Sequence, residues 1–334
     1  MGLGVSKCEA PAPDPTILLP PPPPGTAAPG GAPPPDGAPV VNEKFKNNPG
    51  TYEDLSKKCK EIFPQPFEGA KVMINKSLNQ GFHVSHTLTM SSITPSGYRF
   101  GTTYIGSQLL TPNDPALVLL GDTDPSGNLN AQGFFNWSEA LKTKFVVQVM
   151  NSKFAGTQLG LDYKGRDFTA SATLANFNLF NETGIGVVHF LQAITPKLCV
   201  GAELMYQQAP QIPGGAATAL TCSGRLTTDE SVWSAFAGTN NLGLSYYRRL
   251  NEEIQLGIEL ENSYQQQQLI AAIAYQFDLP KANFSMKAMI DNNWTVTGVL
   301  EKRLLPMPFN LSICGSLNHV KNQFRMGCGF SIGA

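Results

Sequence analysis

The chain of 334 residues has room for one large domain or two ordinary ones, and its formal net charge of −1 leaves no electrostatic footprint for nucleic acid. Charged residues make up 15% of it, against roughly 25% in an average soluble domain. Yet no stretch approaches the ~18 uninterrupted apolar residues of a membrane helix, so the one membrane option left is a closed β-barrel.

Residues 1–49 hold 14 of the 26 prolines, including the run Pro20 to Pro24, and are expected to be disordered or polyproline-like. The segment has no basic start followed by an apolar core, and no Arg-rich amphipathic character of a cleavable matrix-targeting sequence. Next comes "NPGTYEDLSKKCKEIFP", residues 48–64. Thr51 and Asp54 read as a capping box and Pro64 as a stop. Tyr52, Leu55, Cys59 and Ile62 recur at helical spacing, with Lys57, Lys58 and Lys60 opposite. A short amphipathic helix is predicted over 50–65. Alone it is marginal, so its apolar stripe must rest on something.

From residue 66 to 334 the pattern has period two. Phe82, Val84, His86, Leu88 and Met90 alternate with His83, Ser85, Thr87 and Thr89. Ile254, Leu256, Ile258 and Leu260 oppose Gln255, Gly257, Glu259 and Glu261. Turn signals such as "KGRD", "TTDE", "GTNN" and "LPKAN" separate about nineteen such runs of roughly ten residues. A soluble sandwich would fill its outer parity with charge. Here the polar parity is mostly Gly, Ser, Thr, Asn and Gln. Tyr98, Tyr104, Trp137, Tyr163, Tyr206, Trp233, Tyr275 and Trp294 fall near strand ends, as the aromatic girdles of a transmembrane barrel do. The fold class is therefore all-β, a transmembrane β-barrel. Its last strand, "NQFRMGCGFSIGA", must find the first near residues 69–78, because closure removes the edges that lipid cannot satisfy.

Several stretches then carry a resemblance: the helix "NPGTYEDLSKKCKEIFP", the hairpin "GDTDPSGNLNAQ" (121–132), "HFLQAITP" (189–196) and "DLPKANFSMKA" (278–288). Over about residues 48–334 the chain resembles the channel-forming subunits of the protein translocase of the mitochondrial outer membrane, within the mitochondrial porin superfamily. The resemblance implies nineteen strands, mostly antiparallel, with parallel pairing of first and last and the helix inside the lumen. It implies conduction of unfolded mitochondrial precursor proteins across the outer membrane. Implied partners are a receptor with one membrane helix, small single-helix subunits and a second copy of the chain, all embedded in membrane lipid. Arg325, Gly327, Phe330 and Ile332 fill the four defined positions of the mitochondrial barrel-insertion signal, polar-x-Gly-x-x-hydrophobic-x-hydrophobic. A voltage-dependent anion or metabolite channel shares the architecture, but its lumen is expected to carry a basic excess.

Parity places Asp162, Glu203, Glu259, Glu261, Asp278 and Glu301 toward the lumen, with Lys71, Arg99, Lys144, Arg225, Lys287 and Arg325. The two sets balance, so precursor contacts are expected from local acidic patches, with Glu203, Glu259, Glu261 and Asp162 as candidates. The plainer reading is that these are solvated groups in a watery pore. His189 reads as a hydrogen-bonded structural histidine. Cys314 and Cys328 lie on adjacent predicted strands, which leaves a disulfide conceivable beside the preferred free thiols. No CxxC pair, nucleophile site or dinucleotide fingerprint is present, so no enzyme activity, metal or cofactor is expected.

Overall fold

The computed structural model describes residues 47–92, 96–111, 114–178, 183–209, 215–264 and 266–333. Most of the proline-rich segment, residues 1–46, falls outside the described residues. One sheet of nineteen strands closes on itself. The first strands are β1 (Gly69–Asn79), β2 (Phe82–Met90), β3 (Gly97–Ile105), β4 (Leu117–Thr123) and β5 (Leu129–Asn136). Then come β6 (Leu141–Met150), β7 (Lys153–Lys164), β8 (Phe168–Asn178), β9 (Thr183–Ala193) and β10 (Leu198–Gln208). They are followed by β11 (Ala216–Thr227), β12 (Ser231–Gly238), β13 (Asn241–Arg249), β14 (Ile254–Ser263) and β15 (Gln268–Leu279). The last are β16 (Phe284–Asp291), β17 (Thr295–Leu304), β18 (Phe309–Asn318) and β19 (Gln323–Gly333). Chain neighbours pair antiparallel, while β1 and β19 pair in parallel, from Gly69 beside Gly327 to Asn75 beside Gly333. Strands of about ten residues, tilted as barrels require, cover the roughly 25 Å apolar band of an outer-membrane-type barrel. Among the described residues no helix is long and apolar enough to cross a membrane.

Alternation sorts each strand between two solvents. On β19, Phe324 (67%) and Met326 (58%) stand exposed on the parity of Phe330 and Ile332, a surface that only lipid makes favourable. The eight aromatic residues expected in girdles are all exposed. His86 also lies on this outer parity, where its Nδ1 meets the Tyr98 hydroxyl at 2.5 Å, so one ring nitrogen is satisfied within the protein. The other parity faces the segment 47–68. That segment touches β8, β9, β11, β14, β16 and β19 in turn, a path so short that it exists only on the concave side.

Helix α1 spans only Asp54–Lys60, which corrects the expected 50–65. Gly50 has φ +86°, outside any right-handed helix, and Pro49 precedes it. At the other end Ile62 and Phe63 turn with i→i+3 hydrogen bonds to Cys59 and Lys60, so the last turn tightens before Pro64. The long connection around 109–116 also folds, into a two-stranded hairpin of Leu109–Thr111 with Asp114–Pro115. Cys314 and Cys328 cannot form a disulfide. Cys314 is in register with Gly327, and Cys328 with Ile313, so the two thiols point to opposite faces of the sheet. The five described cysteines are free.

Candidate functional site

The site is the lumen, and its main feature is the segment laid along the wall. Asn48 starts it. The Asn48 Nδ2 donates to the carbonyls of Gly165 (2.8 Å) and Phe168 (3.1 Å), while Oδ1 accepts from Gly50 N (2.9 Å) and Thr169 Oγ1 (3.2 Å). An amide engaged on both sides fixes the point of contact with the β7–β8 turn. Three residues on, Thr51 N and Thr51 Oγ1 both donate to Asp54 Oδ2, at 2.9 and 2.7 Å. This is half of the expected capping box: Asp54 reaches back, but the Thr51 hydroxyl goes to the carboxylate and not to a helix N–H. Burial acts to raise the Asp54 carboxyl, and the Thr51 hydrogen bonds with the Lys57 charge outweigh it, holding it below the usual value.

The apolar stripe of α1 turns to the wall as its spacing requires. Leu55 packs with Leu191 and Cys199, and Tyr52 leans on the same cluster. Ile62 is only 1% exposed. Burying Leu55 and Ile62 contributes about 1.5–3 kcal/mol each as an upper range. This explains why β9 carries Leu191 on its lumenal parity, where water would otherwise lie. Polar contacts finish the seat. The Tyr52 ring stacks on His189 with centroids 4.5 Å apart, and His189 Nε2 lies 3.1 Å from Glu203 Oε2. Arg225 donates from Nη2 to the Pro49 carbonyl (2.7 Å) and from Nη1 to the Asp54 carbonyl (3.2 Å). Lys287 Nζ donates to the Glu61 carbonyl at 2.7 Å, just past the helix C-terminus, where the dipole also favours a cation.

Cys59 is the most enclosed polarizable group of α1. Its Sγ sits 3.6 Å from the Tyr246 carbonyl and 3.5 Å from the Ile258 carbonyl. Burial pushes the thiol up to about 11, from an ordinary value of 9.0. Such a rise means about a hundredfold less thiolate at neutral pH, before steric shielding is counted. A water-soluble maleimide at neutral pH is therefore expected to modify Cys59 at least about a hundredfold more slowly than the same thiol in the denatured chain. Peptide mapping after timed quenching checks it; equal rates would mean that α1 does not rest on the wall.

With this geometry in view, the chain can be set beside known proteins. The family model described as eukaryotic porin matches residues 48–327. The chain belongs to the eukaryotic porin family. It is 45% identical over 286 residues to mitochondrial import receptor subunit TOM40 homolog 2 of Drosophila melanogaster, covering 86% of this chain and 84% of that protein. The TOM40 homolog of Mus musculus is 42% identical, over 86% and 78% of the two chains. The Caenorhabditis elegans homolog is 42% identical, over 86% and 95%.

In this eukaryotic porin the acidic residues singled out from sequence have different surroundings. Glu203 Oε2 lies against His189 Nε2, and the same ring stacks on Tyr52, which makes His189 part of the wall's grip on Tyr52. Glu259 lies beneath α1 within electrostatic reach of Lys60 and Glu261. Asp162 stands in register with Ser171 on β8 and Lys142 on β6, apart from the other three. Arg99 pairs with Asp122 at 3.5 Å, and Lys142 with Asp114 of the small hairpin at 3.1 Å. Asp278 accepts from Gln276 Nε2 and Ser285 Oγ, each at 2.6 Å. Asn48, Asp114 and Asp122 are not among the residues that sequence reasoning singles out. Asp122 sits on the lumenal parity of β4 and is open to the same reading, whereas Asn48 and Asp114 act from outside the barrel strands. The four residues matched to the insertion signal divide by face. Phe330 and Ile332 look to lipid, while Arg325 and Gly327 look inward, and a Cβ on Gly327 would collide with the Phe67 carbonyl. Among the described residues no group of three or more His, Cys, Asp or Glu side chains is placed to hold a metal ion.

Proposed function

We propose that the chain is a protein-conducting channel of the mitochondrial outer membrane, through which unfolded precursor proteins pass. What supports this most is the 41–45% identity, over 86% of the chain, to proteins named as mitochondrial import receptor subunits. The lumen suits such transport physically. Its carboxylates and cations alternate around the wall and many already have partners, so a passing chain meets weak sites it can also leave. Glu203, Glu259, Glu261 and Asp162 are the residues proposed to meet precursors, and Arg325, Gly327, Phe330 and Ile332 those read at insertion. The apolar outer face gives single-helix subunits, a receptor helix and a second copy of the barrel the surface they need.

Planar-bilayer recordings test the reading. The reconstituted chain is expected to prefer cations and to be blocked by a basic amphipathic peptide, but not by a neutral peptide of equal length. Anion preference without peptide block would replace it by a metabolite channel of the voltage-dependent anion type.

A further inference from the structure

The wall beneath α1 is shaped for a helix of its kind. Ser234, Ser245, Gly257 and Ala274 fill buried lumenal positions on β12 to β15. These small groups let helix backbone come close: a Cβ on Gly257 would stand 3.4 Å from Cys59 Sγ and 3.5 Å from the Cys59 carbonyl. Carboxylates border the trough, with Glu259 facing Lys60 and Glu203 within electrostatic reach of Tyr52. The seat thus takes a short helix with an apolar stripe below and lysines at its border. "DLSKKCK", residues 54–60, is such a helix.

How the helix is held matters as much as where. Arg225 grips the carbonyls of Pro49 and Asp54, and Lys287 the carbonyl of Glu61. Carbonyls are offered by any sequence, and the last ones of a helix lack internal partners. These wall cations therefore recognise backbone and not the side chains of α1. No bond between α1 and the wall is covalent among the described residues. A second basic amphipathic helix meets the same trough, the same border acids and the same two cations.

We propose that the trough under α1 is a shared seat, held at rest by α1 and taken by the basic amphipathic helix of a passing precursor, which displaces it. This rests on the protein-conduction reading and assigns that reading a place on the wall. It also gives α1 a role of its own. By occupying the seat, α1 sets a threshold that only a helix with both an apolar stripe and basic charge passes.

A reversible lock tests it. A thiol introduced as Gly257→Cys lies within bonding reach of Cys59, and oxidised glutathione accepts the two electrons and two protons released as the S–S bond forms. The locked channel, recorded in a planar bilayer, should conduct ions but bind a synthetic basic amphipathic peptide at least about tenfold more weakly than after reduction. A second variant needs no new cysteine. Leu55→Ala weakens α1 and leaves the wall intact, so peptide block should strengthen by at least about tenfold and open conductance should rise. Wild-type chain under the same oxidant controls for its own thiols. Equal block in locked, reduced and Leu55→Ala channels overturns the shared seat while protein conduction stands. No block in any form overturns protein conduction, and the seat with it.

Discussion

Phe330→Gln combined with Ile332→Gln is expected to leave the chain in the intermembrane space, imported but not integrated. Both side chains lie on the lipid face of β19, at the seam where the barrel closes. Phe330 stands between Val72 of β1 and Leu311 of β18, with its ring 5.2 Å from that of Phe309. Ile332 stands between Ile74 and Phe309. Each Gln would put an unpaired amide against hydrocarbon, at about 1–3 kcal/mol by protein mutational standards, and would remove apolar contact as well. The pair would act at the last step of assembly, because the barrel is a closed sheet only once β1 and β19 meet. Ser331→Gln is the control. Ser331 is the residue between them and faces the lumen, where water satisfies the new amide. Carbonate extraction of mitochondria after import separates the outcomes. The double variant should appear in the supernatant, and Ser331→Gln in the membrane pellet. Integration of the double variant at the wild-type rate would remove the insertion role from both positions.

Much of this barrel can be read from parity alone, because in a barrel parity chooses a solvent. Phe324, Met326, Phe330 and Ile332 have to share a face, and in lipid that face is the outer one. The aromatic residues at strand ends follow from the same rule, as do Glu203, Glu259 and Asp162 on the inner parity. What parity cannot give is register between strands, which turns neighbours into partners or separates them. Cys314 and Cys328 lie on paired strands, yet an offset of one residue sends them to opposite faces. Lys142 finds Asp114 only because Leu109–Thr111 and Asp114–Pro115 pair with each other. The extent of α1 escapes the sequence for a local reason: its flanks repeat the apolar spacing, but Gly50 and the tightened turn at Phe63 bend the backbone away from it. His189 lies on the lumenal parity with its Nε2 against Glu203. Its stacking on Tyr52 depends on where the segment crosses the lumen, which no spacing within β9 encodes.

Changing Glu203, Glu259 and Glu261 together to Gln is expected to leave an assembled, conducting barrel with reduced cation preference and weaker peptide block. None of the three is fully buried, and Gln keeps their size, so strand pairing should survive. In water a unit charge ~8 Å away acts with about 0.5 kcal/mol, and at ~0.15 M ionic strength screening over one Debye length cuts this by about two thirds. One charge is therefore nearly silent. Three together amount to about 0.5 kcal/mol, attractive for a monovalent cation and repulsive for an anion, so the preference between the two changes by about 1 kcal/mol, roughly fivefold. A peptide carrying about three positive charges feels about three times the attraction of a single cation, close to tenfold in affinity. Neutral peptides should change far less. The surroundings order the single changes. Glu203→Gln removes the acid beside His189, and Glu259→Gln the acid facing Lys60, so each of these takes its charge from next to the segment in the lumen. Glu261→Gln should alter charge alone. Reversal potentials in a salt gradient and peptide titrations in the same bilayers measure both effects. If the triple variant keeps its ion preference and its peptide block, these carboxylates are only solvated groups of a water-filled pore, and precursors are guided elsewhere on the wall.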